Sequence, residues 1–386
     1  MKRPSSPAQT PISQLMNYLT SQQAAMGTML RRLVEHESPS DDKAACDRMV
    51  EKLARDFAAI GGNTRLHMNK KAGNHLQADF AGPRGAKPVL IVGHYDTVYG
   101  LGTLKTMPYR ETRERISGPG VLDMKGGIVQ MYFAIAALQA VGMPRGVTVM
   151  LVSDEETGSE SSRPITERLA KKSAAALVCE PAAGEDGALK TARKGVGDYL
   201  LKVQGVAAHA GLDFEKGQSA ILELARQIEA VCEFTDLKRG LTVSAGVVRG
   251  GTRSNVVAAE AEAEIDVRVT NQKDVERVAK LFGGLKAKNR KCTLTVTGGV
   301  NRPPMERSAG TAALFAKAER IAKELGFPLK EMAVGGGSDG NFTASIVPTL
   351  DGLGAVGDGA HASHEFIFAD QLPRRAALLA GLIQAV

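Results

Sequence analysis

The chain has no tryptophan, and aromatic residues make up only 4% of its 386 positions. Its core is therefore expected to be built from Val, Ile, Leu and Ala. Only four cysteines occur, Cys46, Cys179, Cys232 and Cys292, and none stands in a CxxC pair. That spacing excludes zinc-finger and thioredoxin-type chemistry and suits a reducing, cytoplasmic setting. No stretch is expected to reach the ~20 apolar residues that span a bilayer. The basic start Met1-Lys2-Arg3-Pro4-Ser5-Ser6-Pro7 lacks the apolar segment of a secretory signal. Net charge is +7, yet the basic groups Lys70-Lys71 and Lys288-Asn289-Arg290-Lys291 carry no interleaved aromatics and no nucleic-acid motif. No nucleic-acid or membrane partner is expected. The charge fits a mild preference for anionic small molecules.

What is present is glycine, 42 residues, and enough chain for two domains. Apolar periodicity predicts helices over 15–35 and 41–60, the second stopped by Gly61-Gly62. Strands are predicted at 64–68, 76–80, 89–93, 147–152 and 174–179, with helices at 125–141 and 162–172. Strands alternating with helices imply an α/β fold with a doubly wound, mostly parallel sheet. The pattern changes near residue 196. Strands at 199–203, 241–248, 261–269 and 292–297, with helices at 219–232 and 273–288, give an inserted β-α-β-β-α-β domain over 196–305. Within it Ala261, Ala263, Ile265, Val267 and Val269 alternate with polar residues, as a half-solvated antiparallel strand does. Residues 1–195 and 306–386 form the other domain, closing with helices at 311–325 and 372–385 and a short strand at 346–350 broken by Pro348.

The chemistry centres on Val152-Ser153-Asp154-Glu155-Glu156-Thr157-Gly158. A buried strand that ends in three carboxylates is costly unless the acids are paired or bind a cation. Taken alone, the stretch reads as a solvated acidic loop. Other strands end in similar groups: His94-Tyr95-Asp96 after 89–93, Glu180 after 174–179, and His361 beyond 346–350. Asp123 stands before a helix in Gly118-Pro119-Gly120-Val121-Leu122-Asp123. In an open α/β sheet, the carboxyl ends of the strands converge on one crevice. Each group has a plain structural explanation by itself: a core histidine, a helix cap, a loop acid. Together they are five N/O donors without a cysteine, more than one zinc uses, which suggests two metals sharing a carboxylate. In His94-Tyr95-Asp96 both outer side chains point the same way, so Asp96 can orient the imidazole. Glu155, beside a ligand, is then placed to take a proton from water and pass it to a leaving amine. Asp154 is expected only to shape the turn.

The stretches Gly93-His94-Tyr95-Asp96-Thr97-Val98, Gly120 to Gly127, Ser153 to Gly158 and Glu180-Pro181 resemble the M20 family of dinuclear zinc peptidases, in particular its glutamate carboxypeptidases. The resemblance covers nearly the whole chain. It implies two zinc ions per subunit. His94, Asp123 and Glu180 would bind one or other ion, with Asp123 bridging. Glu156 and His361, four residues before Glu365, would complete the second position. Asp96 would support His94 from behind, and Glu155 would be the general base. The inserted domain would be a lid and a dimerisation surface, making the protein a homodimer. His209, in Val206 to Gly211, would reach the partner subunit's site and stabilise the oxyanion; as a plain reading it is a buried structural histidine. Asn255, in Gly250 to Asn255, would bind substrate, and Gly335 to Asp339 would line it. Arg302 would hold the substrate's terminal carboxylate or else be an ordinary hinge arginine; Arg268 is a weaker candidate for the same task.

The implied reaction is hydrolysis of an amide bond in a small peptide or acyl-amino acid, next to a free carboxylate. The alternatives are an N-acyl-amino-acid deacylase or deacetylase, and a non-catalytic metal-binding scaffold, which would lack a ligand or the base. Gly352-Leu353-Gly354-Ala355-Val356-Gly357 satisfies GxGxxG but has no helix after it, so a dinucleotide reading fails.

Overall fold

The computed structural model describes residues 10–386, and the basic start read above lies outside the described residues. The central sheet has six strands in the order Asn63–His67, His75–Phe80, Val147–Val152, Val89–His94, Ala176–Val178 and Thr349–Leu350. The last four pair in parallel, and His75–Phe80 runs antiparallel to both neighbours. The mostly parallel α/β sheet expected from the sequence is present.

Alternation explains why the inner strands are apolar throughout. Val89, Ile91, Val149 and Leu151 enter one cluster with the helices Pro11–Ser21, Gln23–Val34, Lys43–Ala59, Gly126–Ala140 and Gln371–Ala385. Leu90, Val92, Met150 and Val152 point the other way, against Leu169 and Ala170 of the helix Arg163–Ala170. Each such side chain, fully removed from water, contributes about 1.5–3 kcal/mol. A sheet covered on both faces leaves its strand ends as the place for polar chemistry.

Several expectations shift. The single helix expected over 15–35 is two, separated at Gln22, where nothing in the residue pattern marks the break. The strand expected at 346–350 shrinks to Thr349–Leu350. The amides of Ile346 and Val347 instead bond to the Thr343 carbonyl, closing the short helix Gly340–Ala344, and Pro348 follows. Val121–Ala140 is, against expectation, long and apolar enough to cross a membrane. It is a core element, mostly buried inside the fold, and Asp123 and Met124 leave helical geometry at its start.

The chain divides into two compact units. One holds the sequence up to Ala192 with Arg307–Val334 and Ser338–Val386; the other holds Arg193–Glu306 with Gly335–Gly337. Gly335–Gly337 joins the second unit because the Arg193 guanidinium donates to the Gly336 and Gly337 carbonyls, both at 3.1 Å. That unit is a four-stranded antiparallel sheet, Thr242–Gly250, Glu260–Val269, Gly195–Gln204 and Thr293–Arg302 in order. Its helices are Ala220–Cys232 and Gln272–Gly283, the latter ending before Gly284 and short of the expected 288. Ala261, Ala263, Ile265, Val267 and Val269 all face its core, as their alternation requires.

Candidate metal centre

The strand Val89–His94 carries His94 to its carboxyl end. Gly93 lets the next layer approach: a Cβ there would lie 2.5 Å from the terminal methyls of Met124 and Met131. Gly127 does the same for the neighbouring strand end, since a Cβ would sit 2.2 Å from the Cys179 carbonyl. These approaches bring Asp123 and Glu180 up to the His94 imidazole. His94 Nε2 lies 3.0 Å from Asp123 Oδ1 and 3.5 Å from Glu180 Oε1. The other Asp123 oxygen, Oδ2, is 3.4 Å from His361 Nε2, which is 3.2 Å from Glu156 Oε1. Asp123 therefore offers one oxygen to each of two imidazoles.

Donor atoms of His94, Asp123 and Glu156 all lie within 4.8 Å of one another, and so do those of His94, Glu155 and Glu180. The structure thus brings together Glu155 and all five residues proposed from the sequence as ligands. The turn that aims Glu155 and Glu156 is closed by backbone bonds from Thr157 and Ser159 to the Asp154 carbonyl. Asp154 itself turns away and accepts from the Ser161 amide at 2.9 Å and hydroxyl at 2.5 Å, which is the turn-shaping task expected of it.

Crowding acids around two imidazoles drives them toward the charged form. Burial opposes charge on His94, but Asp123, Asp96 and Glu180 outweigh it, and its pKa rises well above the usual value. Asp123 and Glu156 push His361 up to about 10. Burial alone would raise Asp123; His361 and His94 pull its carboxyl down. These protons stand where cations fit: imidazole and carboxylate donors, no thiolate, and a carboxylate shared between two imidazoles. Asp96 adds to the fit. Its Oδ1 is buried without a hydrogen-bond partner, 3.5 Å from His94 Nδ1, while the Asp96 carbonyl is nearer that nitrogen, at 3.0 Å. Asp96 Oδ2 accepts from the Ser40 hydroxyl at 2.7 Å. A cation on Nε2 would favour the Nδ1–H that this pair of acceptors requires.

Two supports were not read from the sequence. Glu365 is fully buried and accepts from the amides of Gly120 (3.0 Å), Leu122 (2.7 Å) and Asp123 (3.0 Å). It locks the Asp123 loop to the loop that bears His361. The Tyr99 hydroxyl donates to the Ala362 carbonyl at 3.0 Å, steadying the same loop, in which His361 holds a φ of 62°. The position of Glu365 four residues after His361 was the available signal.

The remaining candidates belong to the second unit. His209 is exposed, against the buried structural reading, and pairs with Val256 across a two-residue ladder. Its Nδ1 accepts from the amides of Gly211 and Leu212, at 3.1 and 3.2 Å. Asn255 is exposed and its carbonyl accepts from Ala210. Arg302 is buried, its stem beneath Gly337, where a Cβ would come within 2.9 Å of Arg302 Cδ. Arg268 already holds Asp266, Nη2 to Oδ2 at 2.8 Å and Nε to Oδ1 at 3.0 Å, which leaves it poorly placed to grip a further carboxylate.

Residues 90–385 match the model of Peptidase family M20/M25/M40. Carboxypeptidase G2 of Pseudomonas sp. (strain RS-16) is 29% identical over 382 residues, covering 96% of this chain and 91% of that protein. The acetylornithine deacetylase of Salmonella arizonae is 25% identical over 62% of this chain and 66% of its own length. Among solved structures, the M20 family metallo-carboxypeptidase of Sulfolobus solfataricus superposes with a TM-score of 0.75 at 17% identity, over 93% of this chain and 98% of that one. A dinuclear metal-binding M20 peptidase of Bacillus subtilis gives 0.67 at 16%, over 95% and 98%. With the matched family model covering most of the chain and a shared carboxylate between two imidazoles at the sheet's carboxyl edge, this chain belongs to the metal-dependent peptidase family M20/M25/M40 and is a hydrolase of the peptidase and amidohydrolase kind.

Proposed function

We propose that the chain is a zinc-dependent carboxypeptidase of the glutamate type, cleaving the amide bond to a C-terminal amino acid, with two zinc ions per chain. The observation that carries this reading is Asp123, whose two oxygens face His94 at 3.0 Å and His361 at 3.4 Å. His94, Asp123 and Glu180 would hold one ion, and Asp123, Glu156 and His361 the other. Zinc there would supply Lewis-acid polarisation and a lowered pKa for the attacking water. Glu155 is placed to take a proton from the attacking water and return it to the departing nitrogen. Asp96 holds the His94 ring in orientation.

His209 suits the oxyanion. Two amides donate to its Nδ1, so the proton of the neutral ring sits on Nε2, which is a donor in either charge state. In the homodimer we propose, it serves the partner subunit's site, with Asn255 contacting substrate. Arg302 offers a planar fork to the terminal carboxylate, and the 29% identity with carboxypeptidase G2 supports an amino acid there. Four free cysteines, three of them buried, suit the reducing cytoplasm we assign to it.

A second reading, N-acyl-amino-acid deacylase, draws on the likeness to acetylornithine deacetylase. A panel of acyl-glutamates, acyl-aspartates, dipeptides and N-acetyl amino acids, assayed with and without zinc, separates the two. Preferred release of acetate would favour the deacylase. Glu155→Gln is expected to keep its zinc and lose about 10²–10⁴-fold in kcat; full activity would end the assignment of the base.

A further inference from the structure

A basic cavity of about 430 Å³ lies outside the donor set and has no part in the chemistry above. It forms on a small sheet in which the hairpin Arg110–Glu111 and Arg115–Ser117 pairs with Phe366–Phe368. Register sets Ser117 opposite both Arg110 and Phe366, and Arg115 opposite Phe368. Side chains alternate along a strand, so these five share one face. The opposite face carries Ile116 and Ile367, buried at 2% and 0%. It also carries Glu111, which is engaged by Arg31 at 3.5 Å and by the Tyr109 hydroxyl at 3.0 Å. Glu111, one of the hairpin's two acids, is thus spent on the other face, while Arg110 and Arg115 line the cavity.

Among the described residues, neither Arg110 nor Arg115 has a carboxylate within ion-pair distance. The Arg115 guanidinium lies over the Phe366 ring at 4.0 Å and nears Phe368 at 5.6 Å. That stacking uses the face of the guanidinium and leaves its N–H edges free to donate. Ser117, Ser363 and His364 add polar atoms around the same space. The one carboxylate in the lining, Glu365, is consumed by three backbone amides at 2.7–3.0 Å. A cavity with two unmatched arginines, an aromatic floor and a rim of hydroxyls is complementary to an oxyanion joined to a small organic body.

We propose that this cavity is a binding site for a small carboxylate- or phosphate-bearing molecule, gripped by Arg110 and Arg115. Its walls include Gly118 and the stretch Ser363–Phe366, which continue into the loops bearing Asp123 and His361. The site is separate in residues from Arg302, the anchor assigned to substrate.

Calorimetric titration of the zinc-loaded full chain with succinate and, separately, with inorganic phosphate tests it, zinc content being checked after each run. The tighter probe identifies whether the natural ligand presents a carboxylate or a phosphate. Saturable binding is expected in the wild type and in Arg302→Ala, weakened at least about tenfold in Arg110→Ala and Arg115→Ala. Arg110→Lys should retain most of it, because the charge remains. If Arg115→Ala unfolds by baring Phe366, Arg110→Ala, which leaves that stack intact, decides alone. Absence of saturable binding by either probe up to about 10 mM, or equal binding in Arg110→Ala, would overturn the proposal.

Discussion

The two imidazoles that flank Asp123 sit in opposite settings. The His94 side chain is 1% exposed, at the end of a strand buried along its whole length, with Asp96 behind it. The His361 side chain is 50% exposed, on a loop, at a left-handed φ of 62°. One half of the cluster is therefore assembled by the sheet itself. The other half depends on supports brought from far along the chain, Glu365 on the Asp123 loop and Tyr99 on Ala362. A site can place one ligand through the sheet core and its partner through hydrogen bonds from distant parts of the chain, and the two should respond differently to change.

Glu365→Gln should show this most strongly. The amide oxygen can still accept from Leu122 and Asp123, but its NH₂ would face the Gly120 N–H that Glu365 Oε2 now accepts from. Stranding a buried donor costs about 1–3 kcal/mol. Denaturant unfolding should register that loss, and a variant as stable as the wild type would remove Glu365 from its role as the lock between loops. Asp96→Ala acts on the buried half. Losing an orienting carboxylate behind a metal-bound imidazole lowers metal affinity about 10–100-fold, read by competition with a chelating dye. An unchanged affinity would mean that the Asp96 carbonyl alone orients His94.

Acidity gives the most graded contrast. In the metal-free protein the His361 pKa stands at about 10, held up by Asp123 and Glu156. Its ordinary value, in the unfolded chain, is about 6.5. Protonated His361 therefore contributes stability that is complete below about pH 6.5 and lost as pH rises through about 10. Thermal melts of chelator-treated protein should fall across that window, and His361→Asn should flatten the fall. A metal ion held by His361, as proposed, would displace the same proton, so its affinity should rise with pH, by up to about tenfold per unit for each proton released.

Much of this was legible in the residues. His94, Glu155, Glu156 and Glu180 directly follow apolar strands, and strand ends meet in a crevice, so their convergence could be reasoned from order alone. The alternation at 261–269 marked its buried face without ambiguity. What was not legible is long-range. Glu365 reaches amides more than 240 positions away, and Tyr99 a carbonyl 263 positions away. No local pattern encodes such pairs. The expected strand at 346–350 failed for a local reason: Pro348 has no amide to donate, and the preceding helix captures Ile346 and Val347. The early end of Gln272–Gly283 did have a signal, the pair Gly283-Gly284.

The most direct test of the shared carboxylate is the number of zinc equivalents bound when the metal-free chain is titrated, followed by native mass spectrometry. The expected result is two per chain in the wild type and in Glu155→Gln, falling to one in His361→Ala, because the buried half around His94 survives without the exposed half. A wild-type chain that saturates at one zinc, or a His361→Ala chain that still holds two, would contradict the assignment of Asp123 as the bridge.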